Sequence, residues 1–232
     1  MTEVLISTPH HQLKSYVATP EGEGPWPGVV VLHDIFGLTD VARKHADWLA
    51  GKGYLAVTPD LFSWGNSLRC IRALMMDLSA GKGASFEDVD AVREWMKARP
   101  DCTGKTGVIG FCATGRFAIM LASGHDFSVA SANYGPIPND IDAILKGACP
   151  MIGSYGGRDG TLKGAAVKLN DALVHNDIAH DVLEYPNAGH SFMDDHKGLV
   201  GVLAVVFGAT YKEKEAEDAQ RRIEAFFARY LA

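Results

Sequence analysis

Short apolar segments and stretches of helical periodicity alternate along the whole chain. Between the apolar segments, hydrophobic residues recur every three or four positions, as they do on one face of a helix. The predicted strands cover residues 4–8, 12–19, 28–33, 54–58, 106–110, 128–134, 149–155 and 180–185. This alternation predicts an α/β fold with a mostly parallel central sheet and helices on both faces.

The predicted helices have apolar faces, and some have recognisable ends. Residues 113–122 and 162–175 are predicted helices, and the C-terminal segment is the clearest because its apolar residues follow the spacing of one helical face. Those residues are Ile223, Phe226, Phe227, Tyr230 and Leu231. Thr39 is placed to cap the helix that follows it. Ser85 and Asp88 have the spacing of a capping box at the start of another helix.

Two connections are long for a compact domain, residues 135–147 and 187–210. Long connections are often functional. The second contains the apolar run 199–207, which we interpret either as buried chain or as a lid or oligomer contact. No composition shift marks a domain boundary, so we expect a single domain over residues 1–232.

Composition and charge matter mainly through what they exclude. The chain has 232 residues and a formal net charge of −6 without a run of Lys or Arg, so a nucleic-acid partner is not expected. The four cysteines form no CxxC pair and the nine histidines no HExxH pair, so neither a metal nor a cofactor is expected. We see no signal peptide and no bilayer-spanning run. We therefore expect a cytoplasmic monomer or small homo-oligomer that acts on a small molecule away from membranes.

The strand predicted at residues 106–110 leads directly into Gly-Phe-Cys-Ala-Thr-Gly, which ends at Gly115. A strand, a tight turn and a helix in this order form the setting of a nucleophile elbow, with Cys112 in the place of serine. Thr114 stands where the motif has its second glycine, so we expect an altered elbow or a crowded helix start. The helix N-terminus would favour a thiolate at Cys112. A buried cysteine that only fills space is the alternative.

Two further polar residues follow the last two predicted strands. Asp159 lies in Gly-Gly-Arg-Asp-Gly and His190 in Ala-Gly-His-Ser-Phe. The order nucleophile, acid, histidine is that of α/β-hydrolases, and ligand sites in open α/β sheets lie at the carboxyl ends of strands. Either residue alone could be an ordinary turn or surface residue. Together with Cys112 they predict a catalytic triad.

The sequence positions also nominate two backbone N–H groups for an oxyanion hole. One donor in such enzymes is the residue after the nucleophile, and the other lies in the loop after an early central strand. These positions are Ala113 and Ile35, the latter within His-Asp-Ile-Phe-Gly at residues 33–37.

These motifs together resemble the dienelactone hydrolase family, the cysteine branch of the α/β-hydrolases. The resemblance extends over nearly the whole chain and includes Tyr-Leu-Ala-Val-Thr-Pro-Asp-Leu at residues 54–61. It implies the α/β-hydrolase fold, the triad and the two oxyanion donors named above. It also implies a role for Asp34, which stands where the family has a glutamate that contacts the resting thiol. A turn-capping role for Asp34 is the alternative.

The resemblance implies hydrolysis of a small ester or lactone, with one departure that bears on the substrate. Family members that act on dienelactone bind its carboxylate with two arginines. Asp194 and Asp195 occupy the stretch where one of them is expected, and Arg69 or Arg72 could serve as the other, although an exposed helix face is our preferred interpretation of these two. Asp194 and Asp195 would repel an anionic substrate unless their side chains point away, so dienelactone itself is not the expected substrate. Because a thiolate leaves more readily than an alkoxide or an amine, we predict activated substrates, namely enol esters, enol-lactones or aryl esters, in preference to peptides. The alternatives are a general carboxylesterase or thioesterase, and a non-catalytic small-molecule binding protein on the same scaffold.

Overall fold

A computed structural model describes residues 1–197 and 210–232. The apolar run 199–207 lies outside the described residues. The chain divides into two compact units, Met1–Val108 with Leu231, and Ile109–Tyr230 with Ala232. The single-domain organisation expected from the sequence stays a prediction.

The first unit is built on strands in the order β1-β2-β4-β3-β5, with the last part of β5 in the second unit. β1 pairs antiparallel with β2, β2 antiparallel with β4, and β3 parallel with β4. The elements are β1 (Thr2–Ser7), β2 (Gln12–Ala18), β3 (Trp26–Leu32), α1 (Asp40–Ala50), β4 (Leu55–Pro59), α2 (Ser67–Ala80), α3 (Ala84–Lys97) and β5 (Cys102–Phe111).

The second unit has the strand order β5-β6-β7-β8, and its pairs β6–β7 and β7–β8 are parallel. Its elements after β5 are α4 (Ala113–Leu121), β6 (Val129–Asn133), α5 (Ile141–Ile144), β7 (Met151–Gly156), α6 (Ala165–His175), β8 (His180–Tyr185) and α7 (Glu213–Leu231). Because parallel strands end at the same edge, the segments after β7 and β8 leave the sheet side by side. None of the described helices is long and apolar enough to cross a membrane.

The central strands overlap the predicted apolar runs because these runs are buried, whereas the edge strands β1 and β8 are mostly exposed or half-buried. In β3, the residues from Val29 to Leu32 are fully buried, as expected of a central strand covered on both faces. In α7, Ile223 and Phe227 are likewise fully buried. Pro59 ends β4 and therefore agrees with the predicted stop of that strand.

Two predictions about helix starts need correction. Thr39 occupies the N-cap of α1, but its side chain makes no capping hydrogen bond. The predicted capping box of Ser85 and Asp88 is wrong, because α3 begins at Ala84 and the carboxylate of Asp77 accepts the N–H of Ser85 at 2.9 Å. Asp88 instead accepts a hydrogen bond from the hydroxyl of Thr8 at 2.6 Å. A contact from a preceding helix thus replaces the local one.

Candidate active site

The turn between β5 and α4 holds Cys112 in an unusual backbone conformation. Its φ is 57° and its ψ is −125°. A positive φ is uncommon for a residue with a side chain and costs on the order of 1–3 kcal/mol. The N–H of Cys112 donates to the carbonyl oxygen of Asn133 at 3.1 Å, which fixes the turn against the end of β6. The sharp turn is the geometry of a nucleophile elbow.

Thr114 fits this turn through its hydroxyl group. Its Oγ1 donates to the carbonyl of Phe111 at 2.9 Å and lies 3.0 Å from the N–H of the same residue, which donates to it. A Cβ on Gly110 would collide with the carbonyl of Thr114, and a Cβ on Gly115 would lie 2.7 Å from the carbonyl of Asn133. Both glycines are therefore required by close backbone approach. The expected crowding at the helix start is relieved at Gly115, one residue later than the motif's glycine.

Asp159 lies just after β7 and is held by a neighbour that the sequence analysis did not identify. Its Oδ1 accepts hydrogen bonds from the N–H of Thr161 at 2.9 Å and from the Thr161 hydroxyl at 2.6 Å. Burial would raise the pKa of Asp159, but the hydrogen bonds from His190 and Thr161 outweigh it, so the pKa lies below its ordinary value. The carboxylate is therefore charged at neutral pH, with Oδ2 directed to His190.

His190 lies in the segment after β8 and contacts both other residues of the predicted triad. Its Nδ1 is 2.5 Å from Oδ2 of Asp159, and its Nε2 is 3.2 Å from Sγ of Cys112. Burial alone would lower the pKa of His190, but the hydrogen bonds to Asp159 and Cys112 raise it to about 10. The structure thus brings the three side chains into one hydrogen-bonded chain within the second unit.

An aromatic wall lies beside this chain. The ring of Tyr134, directly after β6, meets the His190 imidazole edge-on with 5.6 Å between centroids, and Phe192 meets Tyr134 at 5.5 Å. Tyr134 is fully buried and has a φ of 41°. Tyr134 is not among the residues predicted from the sequence. The available signal was its position at the carboxyl end of a predicted strand between those that lead to Cys112 and Asp159.

The two acidic residues expected to disfavour an anionic substrate lie in different environments. Asp194 is buried, and its N–H donates to the carbonyl of Ser191 at 3.0 Å. Asp195 is partly exposed and pairs with Lys197 at 2.8 Å. The negative charge of Asp195 is therefore partly offset by this neighbour.

Arg69 and Arg72 are both exposed on α2. This agrees with the interpretation of an exposed helix face. The guanidinium of Arg69 lies over the ring of Trp64, 5.4 Å from its centroid. Such a contact occupies the cation with an aromatic ring of its own unit.

Two of the remaining predicted site residues, Asp34 and Ile35, lie in a turn of the first unit immediately after β3. Oδ1 of Asp34 accepts the N–H of Phe36 at 2.8 Å, and the carbonyl of Asp34 accepts the N–H of Gly37 at 3.3 Å. Asp34 therefore caps a tight turn, which is the alternative role considered for it. Ile35 is 40% exposed in this turn. In the second unit, Ala113 is the first residue of α4, where a helix leaves its N–H without an intrahelical partner.

Comparisons with known proteins give a consistent result. A sequence model described as the dienelactone hydrolase family matches residues 13–231. A proposed carboxymethylenebutenolidase of Escherichia coli K12 is 28% identical over 235 residues, covering 94% of this chain and 83% of that protein. A crystal structure of a proposed dienelactone hydrolase from Klebsiella pneumoniae has a TM-score of 0.82 at 27% identity, covering 99% of this chain and 98% of that one. The dienelactone hydrolase of Anabaena variabilis shares the fold, with a TM-score of 0.72 at 18% identity over 100% of this chain and 98% of its own.

These similarities cover at least 94% of this chain, so they concern the whole chain. The predicted α/β-hydrolase fold with its mostly parallel sheet is confirmed.

Proposed function

The chain belongs to the dienelactone hydrolase family and is a hydrolase, and we propose that it cleaves small activated esters or enol-lactones through a Cys112–His190–Asp159 triad. The observation that carries this proposal is the continuous contact from the carboxylate through the imidazole to the sulfur, at 2.5 Å and 3.2 Å. A thiol, a base and an orienting acid in this order supply what nucleophilic acyl transfer requires.

In the first half-reaction, the Cys112 sulfur attacks the ester carbonyl carbon while His190 is protonated and held by Asp159. The carbon–oxygen bond to the leaving group then breaks, and the imidazolium of His190 donates its proton to the departing oxygen. The product is a thioester on Cys112 and a free enol or phenol; for a lactone, the enol stays attached to the acyl group.

In the second half-reaction, neutral His190 accepts a proton from water, and the oxygen of that water attacks the thioester carbonyl. The carbon–sulfur bond breaks, the acid is released, and the thiolate–imidazolium pair is restored. We assign the N–H groups of Ile35 and Ala113 as donors to the oxyanion in both half-reactions. A single such donor contributes about 3–4 kcal/mol to catalysis in enzymes where it has been removed.

The chemistry of sulfur narrows the substrate class. A thiolate is a better leaving group than an alkoxide, so the tetrahedral intermediate formed from an alkyl ester mostly expels Cys112 again. Enolates and phenolates leave readily enough to compete with the sulfur. Aryl esters, enol esters and enol-lactones are therefore proposed as substrates in preference to simple alkyl esters and peptides.

The test compares 4-nitrophenyl acetate with ethyl acetate, using wild-type protein, Cys112→Ala and Cys112→Ser. We expect rapid release of nitrophenol by the wild type, a much slower reaction with the ethyl ester, and an acetyl group on the Cys112 peptide by mass spectrometry. Cys112→Ala should lose about 10⁴- to 10⁶-fold in kcat, as removal of a nucleophile does elsewhere. Equal rates on both esters would contradict the leaving-group argument and favour a general esterase. Alkylation of Cys112 without turnover of any activated ester would favour a binding protein.

A further inference from the structure

We infer that His33 is a positioning residue that orients and polarises the peptide unit between Asp34 and Ile35. The N–H of this peptide unit is one of the two oxyanion donors assigned above, so the inference rests on the proposed function. All the contacts that support it lie within the first unit. His33 is the last residue before the turn, and its side chain is fully buried.

The two ring nitrogens of His33 have partners of opposite kinds. Nδ1 lies 2.7 Å from the carbonyl oxygen of Asp34, and the backbone nitrogen of Leu61 lies 3.0 Å from Nε2. A carbonyl oxygen can only accept a hydrogen bond and a backbone N–H can only donate one. The imidazole must therefore be neutral, with its proton on Nδ1, for both contacts to form.

The contact at Nδ1 acts directly on the proposed donor. The carbonyl of Asp34 and the N–H of Ile35 belong to one planar trans peptide unit, so they point in opposite directions. The same carbonyl also accepts the N–H of Gly37 at 3.3 Å. Two donors on the carbonyl fix the plane of the peptide, and hydrogen bonds in a chain strengthen one another, so the N–H becomes a better donor.

The N–H of Ile35 is available for this task as far as the structure describes the chain. Within residues 1–197 and 210–232, it makes no hydrogen bond. The neighbouring N–H of Phe36, in contrast, is taken by the carboxylate of Asp34 at 2.8 Å. The turn thus leaves the N–H of Ile35 without a hydrogen bond among the described residues, while the carbonyl of Asp34 in the same peptide unit is held by its own hydrogen bonds.

The surroundings of His33 keep the imidazole neutral. Burial lowers the pKa of His33, while the carbonyl of Asp34 and the carboxylate of Asp60, 3.8 Å from Nε2, act in the opposite direction. The ring of Phe62 covers the imidazole edge-on, with 4.7 Å between centroids. A charged imidazole would have no lone pair for the N–H of Leu61, so neutrality is part of the arrangement.

Two amide variants separate the two contacts. The amide of Asn ends near the position of Nδ1, and that of Gln ends near the position of Nε2. His33→Asn therefore retains a donor to Asp34, whereas His33→Gln retains an acceptor for Leu61 and removes the donor. With 4-nitrophenyl acetate as the substrate, we expect kcat of His33→Gln to fall roughly 10- to 100-fold. This is part of the loss seen when an oxyanion donor is removed. His33→Asn should recover most of this loss.

KM and the rate of Cys112 alkylation by iodoacetamide should stay close to wild type in both variants, because alkylation forms no oxyanion. The matched control is His175→Asn, an exposed residue of α6, which should leave kcat unchanged. Wild-type kcat in His33→Gln, or equal losses in both variants, would overturn the role of His33. A parallel loss of alkylation would also overturn it, since that indicates general damage to the site.

A measurement on the unmodified protein does not depend on how the variants fold. With ¹⁵N-labelled histidine, NMR should show the His33 ring as neutral with its proton on Nδ1. A proton on Nε2, or a charged ring at neutral pH, would overturn the inference. Failure of the wild type to release nitrophenol would instead overturn the proposed function, and the role of His33 with it. An active wild type beside a fully active His33→Gln would overturn only the role of His33.

Discussion

The hydrogen-bonded chain of Cys112, His190 and Asp159 in the second unit and the turn of residues 34–37 in the first offer functional groups of different kinds. In the chain the functional atoms belong to side chains that hold one another, at 2.5 Å and 3.2 Å. In the turn the proposed functional group is a backbone N–H, and the side chains around it hold the backbone. The function of the hydrogen-bonded chain therefore depends on which side chains are present, whereas that of the turn depends on the positions of its hydrogen-bond donors and acceptors.

The two regions also differ in charge. Hydrogen bonds raise the pKa of His190 to about 10 against the effect of burial, which favours a charged imidazole. Burial lowers the pKa of His33, which favours a neutral one. The two environments thus favour a charged imidazole at His190 and a neutral, hydrogen-bonded imidazole at His33. Substitutions that remove a charge should therefore lower kcat strongly when made in the hydrogen-bonded chain and weakly when made in the turn.

Asp159→Asn should produce the largest effect, because it removes the charge that holds His190. We expect kcat on 4-nitrophenyl acetate to fall about 10³- to 10⁴-fold, as in other triads whose acid is changed to the amide. The pKa of His190 should fall from its raised value, so alkylation of Cys112 near neutral pH should slow as well. Stopped-flow kinetics and the pH dependence of alkylation measure the two effects.

The same variant tests the contribution of His190 to stability. A raised pKa in the folded protein adds stability that is fully present below the ordinary value of about 6.5 and is lost as the pH rises through about 10. The melting temperature of the wild type should therefore fall more steeply between pH 7 and 10 than that of Asp159→Asn. Parallel pH profiles of the two proteins would contradict the assigned coupling.

Thr161→Val should have a smaller effect on the same chain. It removes the hydroxyl bonded at 2.6 Å to Oδ1 of Asp159 but leaves the Thr161 N–H in place. A hydrogen bond to a charged group contributes about 1.5–3 kcal/mol, so we expect a loss in kcat of roughly 10- to 100-fold. The acidic limb of the pH–rate profile should move to higher pH, because the pKa of Asp159 rises.

The control is Thr161→Ser, which keeps the hydroxyl and should behave like the wild type. An unchanged pH profile in Thr161→Val would show that the hydroxyl does not act on the carboxylate of Asp159.

Local features of the sequence predict much of the fold and also nominate the three residues of the hydrogen-bonded chain. The last strand lies at residues 180–185 as predicted, and Pro186 follows it directly. The elbow was visible because its strand, turn and helix are consecutive. Cys112, Asp159 and His190 are predicted by motif and order, and the structure brings their side chains into contact after the carboxyl ends of strands. Their catalytic role stays a prediction.

The contacts that could not be predicted join segments that are distant in sequence or depend on the path of a loop. The N–H of Leu61 bonds His33 across 28 positions. Asp77, not Ser85, provides the cap at the start of α3. Thr161 is only two residues from Asp159, but nothing in its sequence context distinguishes it from an ordinary loop threonine. Such contacts follow from tertiary geometry, which periodicity and spacing do not encode.

Asp34 provides the smallest expected effect and the sharpest test of the turn. Asp34→Ala removes the acceptor for the N–H of Phe36 at 2.8 Å, while Asp34→Asn keeps an oxygen at that position without the charge. If Asp34 acts as a turn cap, Asp34→Ala should lose about 1 kcal/mol of transition-state stabilisation, which is roughly a fivefold loss in kcat. The kcat of Asp34→Asn should stay close to that of the wild type. Kinetics on 4-nitrophenyl acetate and Cys112 alkylation rates measure this. Equal losses in both variants would show instead that the charge matters, as the family's thiol-contacting glutamate implies.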